Sequence, residues 1–172
     1  MLHETLVMWL HLLAAVIWVG GMAFLAFVLG PYGRRLPDEQ RADLFRNVGR
    51  RFSRISWPLI AILIFTGPLS LYLRGVPPAE ALGPLFLSTS YGQSVLVKTI
   101  LFTLIITLSA VHDFWIGPRV HRLLASLRGL PEEEREALRG QAHKMRRAAS
   151  YIGRVNFILG LAVLYFAASL AV

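Results

Sequence analysis

A stretch of about 25 residues without a formal charge, residues 5–29, constrains the fold more than any other feature of the chain. A helix of that length crosses the hydrocarbon core of a bilayer, because each residue adds about 1.5 Å and the core is about 30 Å thick. The stretch is too long for a signal peptide and no small-residue cleavage site follows it, so we expect it to remain in the mature protein. It predicts a membrane-spanning helix.

His11 is the one clearly ionisable side chain within this stretch, and such a side chain inside a membrane helix marks a candidate functional site. At about 100° of rotation per residue, His11 shares a helix face with Met8, Ala15, Trp18 and Met22. This face offers a nitrogen ligand and two thioethers. The opposite face is suited to contact with lipid and carries Leu6, Leu10, Leu13, Ile17 and Phe24.

The rest of the chain contains three further apolar stretches of membrane-spanning length. A hydrophobic content of 55% excludes an ordinary soluble domain, and the absence of cysteine excludes disulfides and thiolate metal sites. We predict an all-α, polytopic membrane protein with one domain over residues 1–172, a four-transmembrane-helix bundle with short cytoplasmic amphipathic helices. The predicted spans are residues 5–29, 55–73, 95–116 and 150–171, and the predicted amphipathic helices are residues 37–54, 119–128 and 131–149.

A Gly-Pro pair lies within or directly after each of the first three predicted spans. Gly30-Pro31 and Gly117-Pro118 are expected to end the first and third spans, because proline cannot donate a backbone hydrogen bond. Gly67-Pro68 lies inside the second span, where we expect a kink and a free backbone carbonyl.

Positive charge predicts the orientation in the membrane. Seven arginines lie between the first two spans and eight lysines or arginines between the last two, whereas the middle connector holds only Arg74. By the positive-inside rule both termini lie outside the cytoplasmic (inner) membrane, and the chain crosses it several times. The net charge of +8 therefore indicates contact with membrane lipid, not nucleic acid.

This orientation converts sequence position into depth. His11, Gly67-Pro68 and Lys98 fall in one outer layer, with His11 about 9 Å below the outer boundary. A second polar layer near the cytoplasmic face is predicted to contain His112, Asp113 and Asn156.

Three segments of the chain resemble the copper-resistance protein D (CopD) family of bacterial membrane proteins. They are WLHLLAAVIWVGGMAFLAFVLGP, RRFSRISWPLIAILIFTGPLSLYL and YGQSVLVKTILFTLIITLSAVHDFWIGPR, at residues 9–31, 50–73 and 91–119. The resemblance implies a four-helix membrane domain that handles or transports copper ions.

The chain also resembles the HemJ-type protoporphyrinogen oxidases, small four-helix membrane enzymes with a histidine in the first helix and a lysine in the third. That resemblance implies haem b binding and oxidoreductase activity, with roles for His11 and Lys98. A third hypothesis is an assembly subunit without a ligand. The sequence does not decide whether the chain is an enzyme, and its residues favour a protein without enzymatic activity.

The ligand chemistry separates the first two hypotheses in part. Copper(I) favours imidazole and thioether ligands, and Met8 and His11 are three residues apart on one helix face. A third ligand would come from elsewhere, with His3, Met22 or a second copy of the chain as candidates. A haem would use His11 as an axial ligand and Lys98 as a cation beside a propionate. A periplasmic copper-binding protein and a homo-oligomer stay open as partners.

Overall fold

The computed structural model of the chain describes residues 2–126 and 131–168. All regular structure in these ranges is helical, which confirms the predicted all-α class. Four helices are long and apolar enough to cross a membrane, as predicted. In chain order the elements are α1 (Leu2–Phe24), a π-helical turn π1 (Leu25–Leu29), α2 (Gly30–Gly33), α3 (Asp38–Leu73), α4 (Pro84–Leu87), α5 (Ser90–Ala110), a second π-helical turn π2 (Val111–Ile116), α6 (Gly117–Ala125) and α7 (Glu132–Ala168).

Two of the amphipathic segments are continuous with membrane spans. Residues 37–54 were expected to be helical and to join the second span, and α3 confirms this as one helix of 36 residues. Residues 131–149 likewise run into the fourth span within α7. Pro58 follows the first junction and lacks the N–H that would donate to the carbonyl of Arg54, yet α3 continues through it as one helix. The predicted ends at residues 127–128 and 169–171 lie outside the described residues.

The Gly-Pro pairs widen the helices instead of ending them, so the sequence-based expectation was wrong at both places. The N–H of Gly30 donates to the carbonyl of Leu25, and that of Gly117 to His112, each five residues earlier. The wide turn relieves the clash that a proline ring makes with the preceding turn of a regular helix. A Cβ on either glycine would lie 3.3 or 3.4 Å from that same carbonyl oxygen, which favours glycine at both positions.

The described residues divide into two compact units, one of residues 2–99 and 164–168, and one of residues 100–126 and 131–163. In the first unit α1 packs against α3. Its buried residues other than glycine are Ala14, Trp18, Val19, Met22, Leu29, Ser56, Leu59, Ile60, Leu63 and Thr66, and those of the second unit are Ile105, Ile116, Ala142 and Asn156. The single domain over residues 1–172 stays a prediction.

Aromatic rings of α3 lie over glycines of the first helix. A Cβ at Gly21 would overlap the ring of Phe52, and one at Gly33 would lie 2.5 Å from Phe45 Cε2. Gly33 follows Gly21 in the chain, whereas its partner Phe45 precedes Phe52, so the first membrane-spanning helix and α3 are antiparallel. Glycine therefore permits these aromatic side chains to pack directly on the helix backbone.

The predicted faces of α1 are confirmed. Trp18 and Met22 are buried, whereas Met8, His11 and Ala15 are half-buried. The residues predicted to contact lipid are all exposed, namely Leu6, Leu10, Leu13, Ile17 and Phe24.

Candidate functional site

His11 of α1 forms a hydrogen bond with the second span. Its Nδ1 lies 2.7 Å from the Thr66 hydroxyl oxygen of α3. The same hydroxyl donates to the backbone carbonyl of Ile62, one turn earlier, at 2.6 Å. Back-bonding of this kind is common for threonine within helices. A polar side chain in a membrane helix thus has a partner on the neighbouring helix, as its position in hydrocarbon requires.

The His11 ring also lies against Gly67, as the matching depths of the two residues predicted. A Cβ at Gly67 would be 3.8 Å from His11 Cε1, an ordinary packing distance. The next residue, Pro68, lies inside α3 and cannot donate to the carbonyl of Ile64. The ring therefore sits beside the part of α3 where the regular hydrogen-bond ladder is interrupted.

A groove of about 580 Å³ lies between α1 and α3. Met8 stands one turn before His11, and Ser70 stands one turn after Thr66. Since the helices are antiparallel, both residues lie on the same side of the His11–Thr66 pair, towards the N-terminus of α1. The groove is lined by Glu4, Thr5, Met8, Trp9, Leu12, Ser70, Leu73 and Arg74.

The two predicted thioether ligands have different placements. Met8 is half-buried and lines the groove, three residues from His11 on the same helix. Met22 is buried, and eleven residues of helix place it about 16 Å from His11 along the axis. Met22 and His11 therefore cannot bind one ion together, and the candidate site retains Met8 and His11.

Lys98 belongs to the same unit as His11. Both side chains are half-buried. Positive charge near His11 opposes a bound cation and favours an anionic group.

The second polar layer contains two hydrogen-bonded pairs. His112 Nδ1 lies 2.7 Å from a carboxylate oxygen of Asp113, within π2. The Asn156 amide nitrogen donates to the hydroxyl of Ser109, one turn before Asp113, at 3.0 Å. The Asn156 carbonyl oxygen is buried and has no hydrogen-bond partner among the described residues. Each of these side chains thus has a hydrogen-bond partner nearby in the second unit, and the functional role of the layer stays a prediction.

The donors around His11 fit a soft cation better than a hard one. Imidazole nitrogen and thioether sulfur suit copper(I), whereas hard divalent cations prefer several oxygen ligands. Among the described residues, no group of three or more His, Asp or Glu side chains could hold a metal ion.

The sequence interpretation missed Thr66 and Ser109 as partners of His11 and Asn156. The depth argument contained a signal for Thr66, because Thr66 immediately precedes the Gly67-Pro68 pair assigned to the depth of His11. The Ser109 contact had no comparable signal, since serine is common in membrane helices without such a role.

Comparison with known proteins gives one family. The family model described as "Copper resistance protein D" (CopD) matches residues 46–170, which is more than half of the chain. The match begins within α3, so it includes Thr66 and Lys98 and leaves out α1.

Two relatives differ in length and in what their names say. An uncharacterized protein of Aquifex aeolicus (strain VF5) is 29% identical over 163 residues, which cover 94% of this chain and 91% of that protein. The copper transport protein CutJ of Bacillus subtilis (strain 168) is 37% identical over 103 residues, covering 60% of this chain and 17% of that protein. The chain thus corresponds to a small part of CutJ. No solved structure gives a significant match.

Proposed function

Because the chain belongs to the copper resistance protein D family, we propose that it binds copper(I) at His11 and transports copper ions across the cytoplasmic membrane. The observation that supports a binding role for His11 is its hydrogen bond to Thr66 inside a pair of membrane-spanning helices. This contact holds a nitrogen ligand in place, one turn from the thioether of Met8.

The groove beside this pair supports a route for the ion. It contains Met8 and is large enough for an ion and its accompanying ligands, with a volume of about 580 Å³. In the proposed orientation the groove lies at the outer side of the membrane, since α1 begins there. A copper ion would meet Met8 before it reaches His11.

Two protein ligands leave a coordination position for a further donor. We propose that a periplasmic copper-binding protein or a second copy of the chain supplies it, because among the described residues no group of three or more His, Asp or Glu side chains could hold the ion. CutJ is named as a copper transport protein, and it is much longer than this chain. The whole transport activity is therefore a proposal for this chain in its assembled form.

The binding proposal is tested by competition for copper(I) with a chromophoric chelator, using protein in detergent micelles. His11→Ala and Met8→Leu should each weaken binding, and the loss for His11→Ala should exceed the roughly 10- to 100-fold effect of residues that only support a ligand. Met22→Leu is the matched control for Met8, since it changes the same residue type on the same helix away from the site. His143→Ala is the control for loss of an exposed imidazole.

The transport proposal is tested in proteoliposomes that enclose a copper(I) indicator. Uptake should require His11 and should be retained by the two control variants. If His11→Ala leaves both binding and uptake unchanged, His11 is a packing residue and the proposal fails. A Soret band in the purified protein that disappears in His11→Ala would instead establish the haem alternative.

A further inference from the structure

The two short contacts of the Thr66 hydroxyl determine which nitrogen of His11 carries the proton. A threonine hydroxyl has one proton and can also accept hydrogen bonds. The carbonyl of Ile62 can only accept, so its 2.6 Å contact with Thr66 requires the threonine proton. The Thr66 oxygen must then accept at its 2.7 Å contact with His11, and only a proton on Nδ1 can be donated there.

The opposite assignment leaves one contact without a proton. If Thr66 donated to His11 Nδ1, two oxygen lone pairs would face each other at 2.6 Å on the Ile62 side. Two oxygens at that distance with no proton between them repel each other, and hydrocarbon screens this repulsion far less than water does. The neutral ring therefore carries its proton on Nδ1 and presents the lone pair of Nε2.

We propose that Thr66 is the positioning residue of the metal site: by accepting from Nδ1–H it selects the tautomer in which Nε2 of His11 binds copper(I). The hydrogen bond also restricts rotation of the ring, whose Cε1 edge is held near Gly67. Metal-binding histidines commonly donate their second ring N–H to an acceptor that fixes tautomer and orientation. The assignment of the tautomer concerns the copper-free protein alone. The role of Nε2 as a copper(I) ligand rests on the proposed function.

The first experiment measures the tautomer without copper. Nitrogen-15 NMR of histidine-labelled protein in nanodiscs distinguishes protonated from unprotonated ring nitrogens, and His11→Gln identifies the His11 signals among the five histidines. In the neutral ring we expect protonated Nδ1 and unprotonated Nε2. Thr66→Val, which has nearly the same shape but no acceptor, should shift the population towards protonated Nε2. Thr66→Ser keeps the hydroxyl and should retain the wild-type spectrum.

The second experiment measures copper(I) affinity for the same three proteins by chelator competition. Thr66→Val should bind about 10- to 100-fold more weakly, and Thr66→Ser should restore most of the affinity. Thermal midpoints show whether Thr66→Val remains folded. If it unfolds, Thr66→Ser provides the test, because a protein that keeps the hydroxyl must bind copper(I) as tightly as the wild type does.

The outcomes separate this inference from the proposed function. A protonated Nε2 in wild-type His11, or a Thr66→Val spectrum identical to the wild type, overturns the tautomer assignment whatever copper does. Copper(I) binding that depends on His11 and is unaffected in folded Thr66→Val overturns the positioning role and leaves the proposed function standing. The expected tautomer in a protein that binds no copper supports the hydrogen-bond assignment and overturns the proposed function.

Discussion

Replacing Gly21 by alanine tests whether the contact with the Phe52 ring sets the approach of α1 to α3. A methyl group at Gly21 would overlap Phe52 Cε2 and lie 3.3 Å from Cδ2 and Cζ of the same ring. Gly20 is the matched control, because a methyl group there meets no described atom within 4 Å. The two variants thus change adjacent residues of one helix by the same group.

The expected magnitude follows from two opposing effects. Alanine stabilises a helix relative to glycine by up to about 1 kcal/mol, and both variants gain this equally. Overfilling a packed contact costs about 1–3 kcal/mol, and only Gly21→Ala incurs that cost. Gly20→Ala should therefore be as stable as the wild type or slightly more so, with Gly21→Ala about 1–3 kcal/mol less stable than Gly20→Ala.

The assay is equilibrium unfolding in mixed micelles with increasing dodecyl sulfate, followed by circular dichroism and tryptophan fluorescence. Phe52→Ala removes the ring, so in its background Gly21→Ala should lose most of its destabilising effect. A double-mutant cycle measures this coupling. Stabilities of Gly20→Ala and Gly21→Ala that agree within about 0.5 kcal/mol, or a cycle with additive effects, would refute the packing argument.

Four further predictions concern charge, topology and the second polar layer. Lys98→Met removes a positive charge from the unit that contains His11, so copper(I) affinity in the chelator titration should be unchanged or higher, and weaker binding would show that Lys98 helps to hold the ligand. Reporters fused to either terminus should be active only outside the cytoplasm, and cytoplasmic activity would overturn the orientation. Ser109→Ala removes the acceptor of the Asn156 amide and should lower stability in the dodecyl sulfate titration by about 0.6 and at most about 1.7 kcal/mol; an unchanged midpoint would contradict it. Nanodiscs with anionic lipid should be preferred by about 1 kcal/mol per cation near the surface, whereas salt-sensitive nucleic-acid binding without lipid preference would argue against the lipid role.

The fold could be predicted from the sequence because hydrophobic length is a strong constraint in membranes. Four apolar stretches gave four helices of membrane-spanning length, and helical periodicity gave the faces of α1. The helix ends were harder to predict. Gly30-Pro31 and Gly117-Pro118 were expected to end their spans, because the sequence does not show that a wider turn accommodates the proline.

The candidate site could be predicted only in part. Position along the helix placed His11 and Gly67 at one depth, and the structure confirms their contact. The partner of the imidazole could not be deduced, because choosing Thr66 over Ser70 requires the rotation of α3 about its axis. Neither the family match, which begins after α1, nor the relatives identify a ligand for His11. Its role therefore rests on the binding experiments.

The π-helical turn at Leu25–Leu29 sets the positions around the helix axis of the residues that follow it in the first membrane-spanning helix. Gly21 and Gly33 are twelve residues apart, which would place them about 120° apart around an uninterrupted α-helix. A π turn takes up one extra residue, equivalent to about 100°, and so brings the two glycines to within about 20° of each other. This is why both can face rings of α3, Phe52 for one and Phe45 for the other. Deleting a single residue from this turn should restore a regular helix and, because eleven residues would then separate the two glycines, keep Gly33 within about 20° of Gly21.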